Sequence, residues 1–277
     1  MNAPVIPSDR LTTLDLPWLV PEPAFGERLK ALGTVGGQSV WDALVALANT
    51  RLGALDTVRL DRRLTSLFPA PPAKLVAPPI RLLLLSSSTV DHLLPALRVG
   101  ALRRGLWLEV LTTDFGQYGH TLANPASVLG DARPDVALFT FDARHLFGDG
   151  DPTLDAAGAA ARVDAAAQHV VAQWRAARAA FGCSIIQQTL LPVAQTIFGG
   201  NEHRAPGAPA ALIASLNARL RDLVEAEDAT DLLALDTRAA IDGLDRWHDP
   251  VLWHRAKQDI HPSAAPHYTG PISILAG

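Results

Sequence analysis

Apolar positions follow a helical period through the first quarter of the chain and then gather into short continuous runs. From about residue 27 to residue 68 they recur three and four apart. Trp41, Leu44, Leu47 and Ala48 share one face, and Leu60, Leu64 and Leu67 share another. Gly33, Gly36 and Gly37 separate a first helix from a second. Ahead of them, Pro4, Pro7 and Pro17 predict an extended arm that docks through Trp18 and Leu19. The prolines at 69, 71, 72, 78 and 79 predict a stiff linker. The main boundary is placed there, with an arm and helical subdomain over 1–78 and an α/β domain over 79–277.

Beyond the linker the period changes. Four consecutive leucines, Leu82 to Leu85, read as a strand buried on both faces, predicted over 80–85. Further strands are predicted over 106–112, 136–141, 184–188 and 232–235. Helices fall between them, over 91–104, 126–129 and 209–227, and a long alanine-rich one begins around Asp151, Pro152 and Thr153 and ends at Gly182. Alternation of this kind predicts an α/β fold in three layers, a mostly parallel five-stranded sheet preceded by a helical N-terminal region. Ligands of such sheets sit at the C-terminal strand ends. Here those ends carry Ser86–Thr89, Thr112–Tyr118, Asp142–His145, Gln187–Thr189 and Asp236–Thr237, all polar.

Composition narrows the partners. Of 277 residues, 48% are hydrophobic and 19% charged, enough to bury a core. The net charge of -4, without a basic block, argues against nucleic acid, which is held by clustered Lys and Arg. One cysteine, Cys183, excludes an intrachain disulfide and a cysteine-rich zinc site. No apolar run reaches the ~18 residues of a membrane span, and none of signal-peptide length opens the chain, so a cytoplasmic protein with no membrane partner is expected. Neither a dinucleotide-binding nor a P-loop glycine pattern follows the first strand, and no cofactor is expected. His248 and His254 flank Asp249 without metal-ligand spacing, and no metal site is assigned.

The serines after the leucine run suit either an anion cradle or an exposed nucleophile. Ser87 stands where SGNH-type hydrolases carry their catalytic serine, and Asp259, Ile260, His261 and Pro262 resemble the Asp-x-His-Pro block of that superfamily. The resemblance implies His261 as base, Asp259 as its orienting carboxylate, and Gly116 as an oxyanion donor. Asp142 takes the place where that superfamily uses an Asn, and a carboxylate there repels an oxyanion unless protonated. Leu85 and Ser86 replace the Gly-Asp that precedes the SGNH serine. Gln117 and Gln188 are candidate ligand contacts on the loops after the second and fourth strands. Helix capping by Ser86–Thr89 is the structural alternative.

The chain as a whole resembles the N-terminal region of FkbH-like proteins. The matching segments lie at residues 16–19, 87–98, 115–118, 133–136, 187–189, 200–202, 247–253 and 256–258, in that order. The resemblance implies an SGNH-like domain followed by a haloacid-dehalogenase-like (HAD) domain. In that family the second domain dephosphorylates an activated glyceryl phosphate and loads the glyceryl unit onto an acyl carrier protein in polyketide and related pathways. An acyl carrier protein and a small acyl or glyceryl ligand are therefore the implied partners. The HAD domain is expected after residue 268, and the chain ends at Gly277 without its Asp-x-Asp-x-Thr motif. The letters of that motif do occur at Asp149, Asp151 and Thr153. No buried strand precedes them, so they read as a turn in which Asp151 caps the long helix. The rival function is a stand-alone esterase or acyltransferase working through Ser87 and His261.

Overall fold

The computed structural model describes residues 18–193 and 198–268. The proposed arm up to Pro17, and the tail from 269, lie outside the described residues. Three helices come first, α1 (Phe25–Ala31), α2 (Gln38–Ala48) and α3 (Ala54–Leu67). The order then runs β1 (Ile80–Ser86), α4 (Leu94–Leu102), β2 (Leu108–Thr112), α5 (Tyr118–Ala123), α6 (Pro125–Leu129) and β3 (Val136–Thr140). It continues with α7 (Ala143–Phe147), α8 (Ala156–Phe181), β4 (Ser184–Gln188), α9 (Pro209–Ala226) and β5 (Thr230–Leu233). Three short helices follow, α10 (Leu235–Asp242), α11 (Leu244–Trp247) and α12 (Pro250–Ala256), and a 3-10 turn at Pro262–His267 comes after them.

The five strands form one parallel sheet in the order β2-β1-β3-β4-β5. The leucine run explains why β1 lies inside it. Leu83 and Leu85 face a core built with α8 and α9 around Trp174, while Leu82 and Leu84 face a second core closed by α4, Trp247 and Tyr268. A strand with leucine on both faces has no solvent side to offer. The result is the three-layer, SGNH/flavodoxin-like architecture expected from the sequence.

Several boundaries differ from the sequence reading, among them β2, which starts at Leu108 rather than at 106, and α4, which spans Leu94–Leu102 rather than 91–104; two others bear on local packing. The long helix starts at Ala156, with the Asp155 side chain accepting the Gly158 N–H at 2.7 Å. Asp151 instead closes a turn onto Thr153, and its carbonyl lies so close to Gly207 that a Cβ there would stand 2.0 Å from it. That contact pins residues 151–154 outside the helix. The fifth strand ends at Leu233, and Leu235 opens α10.

The helical segment joins the α/β part through a third core, where Trp41, Leu44, Leu60 and Leu64 pack with Val99 and Leu102 of α4. Asp61 of α3, 4% exposed, receives Arg98 Nε at 2.6 Å and Nη2 at 2.7 Å in a two-pronged ion pair. Asp61→Ala is expected to lower unfolding free energy by about 2 kcal/mol, because Arg98 is left largely covered and unpaired. Urea denaturation checks this, and a change below about 0.5 kcal/mol would show the pair to be dispensable. At the start of the described chain, Trp18 is largely exposed and meets the edge of the His267 ring, while the Leu19 carbonyl accepts from Arg51 Nε at 3.1 Å and the Val20 carbonyl from the Arg51 main-chain N–H at 2.9 Å.

Candidate functional site

β1 delivers Ser86, Ser87 and Ser88 to the C-terminal edge of the sheet, all three buried. They do not cap the following helix. Ser86 Oγ donates to the Ser88 carbonyl at 2.6 Å and accepts the Ser88 N–H at 2.9 Å, a tight local turn. Ser87 turns the other way, toward the end of β3. Its hydroxyl donates to Asp142 Oδ2 at 2.6 Å and accepts the Asp142 main-chain N–H at 2.8 Å. Asp142 is 2% exposed, and its other oxygen caps α7 by accepting the His145 N–H at 3.0 Å. One carboxylate thus anchors the strand-one serine and starts the helix after strand three.

The other members of the sequence-derived triad lie elsewhere. His261 caps the 3-10 turn Pro262–His267, with Nδ1 accepting the Ser263 N–H at 3.1 Å and standing 2.5 Å from Ser263 Oγ. An imidazole accepting at Nδ1 carries its neutral proton on Nε2, the wrong tautomer for taking a proton there. Asp259 is buried and approaches His248, not His261. His248 Nδ1 lies 2.7 Å from the Asp259 carbonyl and 3.6 Å from its carboxyl Oδ1. Since a carbonyl only accepts, His248 carries its proton on Nδ1, and its buried Nε2 has no partner among the described residues.

Electrostatics tie this group to Asp142. Burial, and then the Asp142 charge, push the Asp259 carboxyl up to about 8, against the pull of Arg144. Burial holds His248 below the usual imidazole range, and the Arg144 charge adds to this. Arg144 stacks over the Trp253 ring at 4.6 Å, and its Nη1 has no hydrogen-bond partner among the described residues. Tyr268, fully buried, donates to Gln188 Oε1, and burial together with Asp259 drives its hydroxyl far above the usual range. Gln188 therefore belongs to the core under the site. Its neighbour Gln187 faces the opposite layer and accepts from Trp174 Nε1 at 2.9 Å. Gly116, at φ +68°, and Gln117 lie exposed on the loop after the edge strand β2, where Gln117 precedes α5. His92 Nε2 meets the Ile260 carbonyl at 2.8 Å, tying the start of α4 to the Asp259 segment.

The sequence singles out Ser87, Asp142 and Asp259 but places Ser87 and Asp259 with His261. His248 enters that reading only as a residue flanking Asp249 without metal-ligand spacing, Arg144 only within the strand-end stretch 142–145, and Tyr268 not at all.

No family model and no curated protein matches this chain. The solved structures do supply a fold relative. The fold is shared with the N-terminal part of BF1531 from Bacteroides fragilis, a structure described as containing a phosphatase domain complexed with Mg. The two align at 16% identity and a TM-score of 0.61, over 72% of this chain and 52% of the other. This chain therefore spans about half of that structure. An acetyl xylan esterase aligns over 72% of this chain at 11% identity, but its TM-score of 0.44 is too low to bear on the site. No helix among the described residues is long and apolar enough to cross a membrane.

Proposed function

We propose that this chain is the N-terminal α/β module of an FkbH-like, HAD-family protein. It supports transfer of a glyceryl unit from a phosphorylated donor to an acyl carrier protein and leaves the chemistry to a HAD module. The observation that carries the reading is the likeness to the N-terminal part of a protein containing a phosphatase domain, taken with the ordered FkbH-like segments. The strand-end geometry agrees with a supporting role. Ser87 is engaged twice by Asp142, and the His261 ring is engaged by Ser263. The test is reconstitution with an FkbH-type HAD module, a phosphorylated glyceryl donor and an acyl carrier protein, followed by intact-protein mass spectrometry. Carrier loading should be faster with this chain than without it, and absent with this chain alone. Equal loading with and without it defeats the proposal.

One observation favours the rival esterase reading: the short hydrogen bond from Ser87 to a buried carboxylate polarises the hydroxyl. Ser87→Ala separates the two. The variant should leave hydrolysis of short acyl esters at the wild-type rate while losing about 2 kcal/mol of stability, because Asp142 forfeits a donor in a buried setting. A fall of ~100-fold or more in ester turnover, in a variant still folded, would establish Ser87 as a nucleophile.

A further inference from the structure

Three elements bring a phenol and two imidazoles to one point beside the strand ends. Tyr118 opens α5, His145 lies on α7, and His169 lies midway along α8. The Tyr118 hydroxyl is 2.7 Å from His145 Nε2 and 3.1 Å from His169 Nε2. Both rings turn the same nitrogen toward the same oxygen. The tyrosine ring is buried and packs on Phe141 at 4.8 Å between centroids, so its position is fixed. His145 rests on the same Phe141 ring at 5.6 Å, and its main chain is held by Asp142. His169 is exposed, which leaves the cluster open to solvent.

A buried phenol needs one partner, and here it has two of the same kind. We propose that His145, His169 and Tyr118 form a binding site for a late first-row divalent metal ion of the Cu2+, Ni2+ or Zn2+ class. Imidazole nitrogen suits these ions, and the one cysteine, Cys183, precedes β4 at the opposite end of the parallel strands from Tyr118. Ligand atoms around a tetrahedral zinc stand about 3.3 Å apart. To reach it, the observed 2.7 Å and 3.1 Å separations must widen by about 0.6 Å and 0.2 Å, which a small rotation of the exposed His169 side chain and a shift of the Tyr118 hydroxyl supply. No group of three His, Cys, Asp or Glu side chains gathers as a metal site among the described residues, and here the third ligand is the phenol, with solvent completing the shell. The Asp142 carboxylate, which accepts the His145 main-chain N–H at 3.0 Å, lies near enough to offset part of the ion's charge. Binding of the ion displaces the Tyr118 phenol proton, which leaves to solvent. The bound ion would clamp α5 and α8 to α7, the helix that starts at Asp142.

The experiment is titration of tag-free, full-length protein with Zn2+ by calorimetry and with Cu2+ by absorption spectroscopy. One equivalent of Zn2+ should bind. His145→Ala and His169→Ala should each weaken it more than about tenfold, since the loss of even an outer partner of a metal ligand costs ~10–100-fold. His254→Ala, at an exposed site elsewhere, should bind as wild type does. A phenolate-to-copper charge-transfer band should appear and vanish in Tyr118→Phe. Unchanged stoichiometry and affinity in the folded His145→Ala/His169→Ala double variant, or no uptake by wild type at millimolar Zn2+, overturns the proposal.

Discussion

Asp259→Asn should make the protein more stable at pH 8, by about 3–5 kcal/mol, and leave it nearly unchanged at pH 4. The sign follows from the burial of the carboxyl. In the folded chain it holds its proton up to about pH 8, whereas an ordinary aspartate ionises near 3.8. Below pH 4 both states carry the proton, and the site contributes no pH dependence. Between 4 and 8 the unfolded chain has released the proton and the folded chain keeps it, so stability falls steadily as pH rises. At about 1.4 kcal/mol per pH unit, the loss across that window approaches roughly 5 kcal/mol. The asparagine removes the ionisation and with it the alkaline slope. What remains is the acid limb from His92, His145 and His248, all held below the usual imidazole range by burial, so their contribution is lost as pH falls below about 6.5. Urea denaturation of both proteins from pH 4 to 9 provides the measurement. Parallel curves across that range would mean that Asp259 ionises as an exposed carboxylate does.

Trp174→Ala should cost about 3–5 kcal/mol, the range for removing a large aromatic ring from a packed core. Trp174 is fully buried in the core between α8, α9 and the sheet. Its loss also strips Gln187 Oε1 of its donor, and Gln187 is itself fully buried. Trp174→Phe separates the two effects. It restores much of the ring and not the N–H, and should recover all but about 1–3 kcal/mol. If the phenylalanine variant matches wild type in chemical denaturation, the hydrogen bond is idle and volume alone matters.

The sheet was legible because its evidence lies in contiguous residues. Leu82 to Leu85 could satisfy no other environment than a strand covered on both faces, and Gly182 marked the end of the long helix by its left-handed φ of +66°. Where two nearby residues competed for one role, the sequence misled. Asp151 and Asp155 are both acceptable helix caps, and the choice was made by Gly207, which comes more than fifty residues later and presses on the Asp151 carbonyl. The same holds for the site. That Ser87 and Asp142 both end strands at one edge could be read from the order of elements. That the serine hydroxyl turns to the carboxylate depends on the register of β1 against β3, where Ser86 pairs with Thr140. His261 shows the opposite case. Ser263, two residues on, supplies the hydrogen bonds that occupy its ring, and this local signal was outweighed by the Asp-x-His spacing. The Asp259–His248 approach joins residues eleven apart across a helix and a turn, and no short pattern encodes it.

The proline-rich segment between α3 and β1 looks like a place to divide the chain, but the third core crosses it. Val99 and Leu102 of α4 are covered by side chains from the helices before the prolines, and Arg98 finds its carboxylate there. Expressing only the residues after the prolines would leave a bare apolar stripe and a stranded guanidinium along α4, both inviting aggregation. The linker itself takes part, since Leu75 packs on the third core and Ala77 on the second, so the helices and the prolines are best kept together with the sheet.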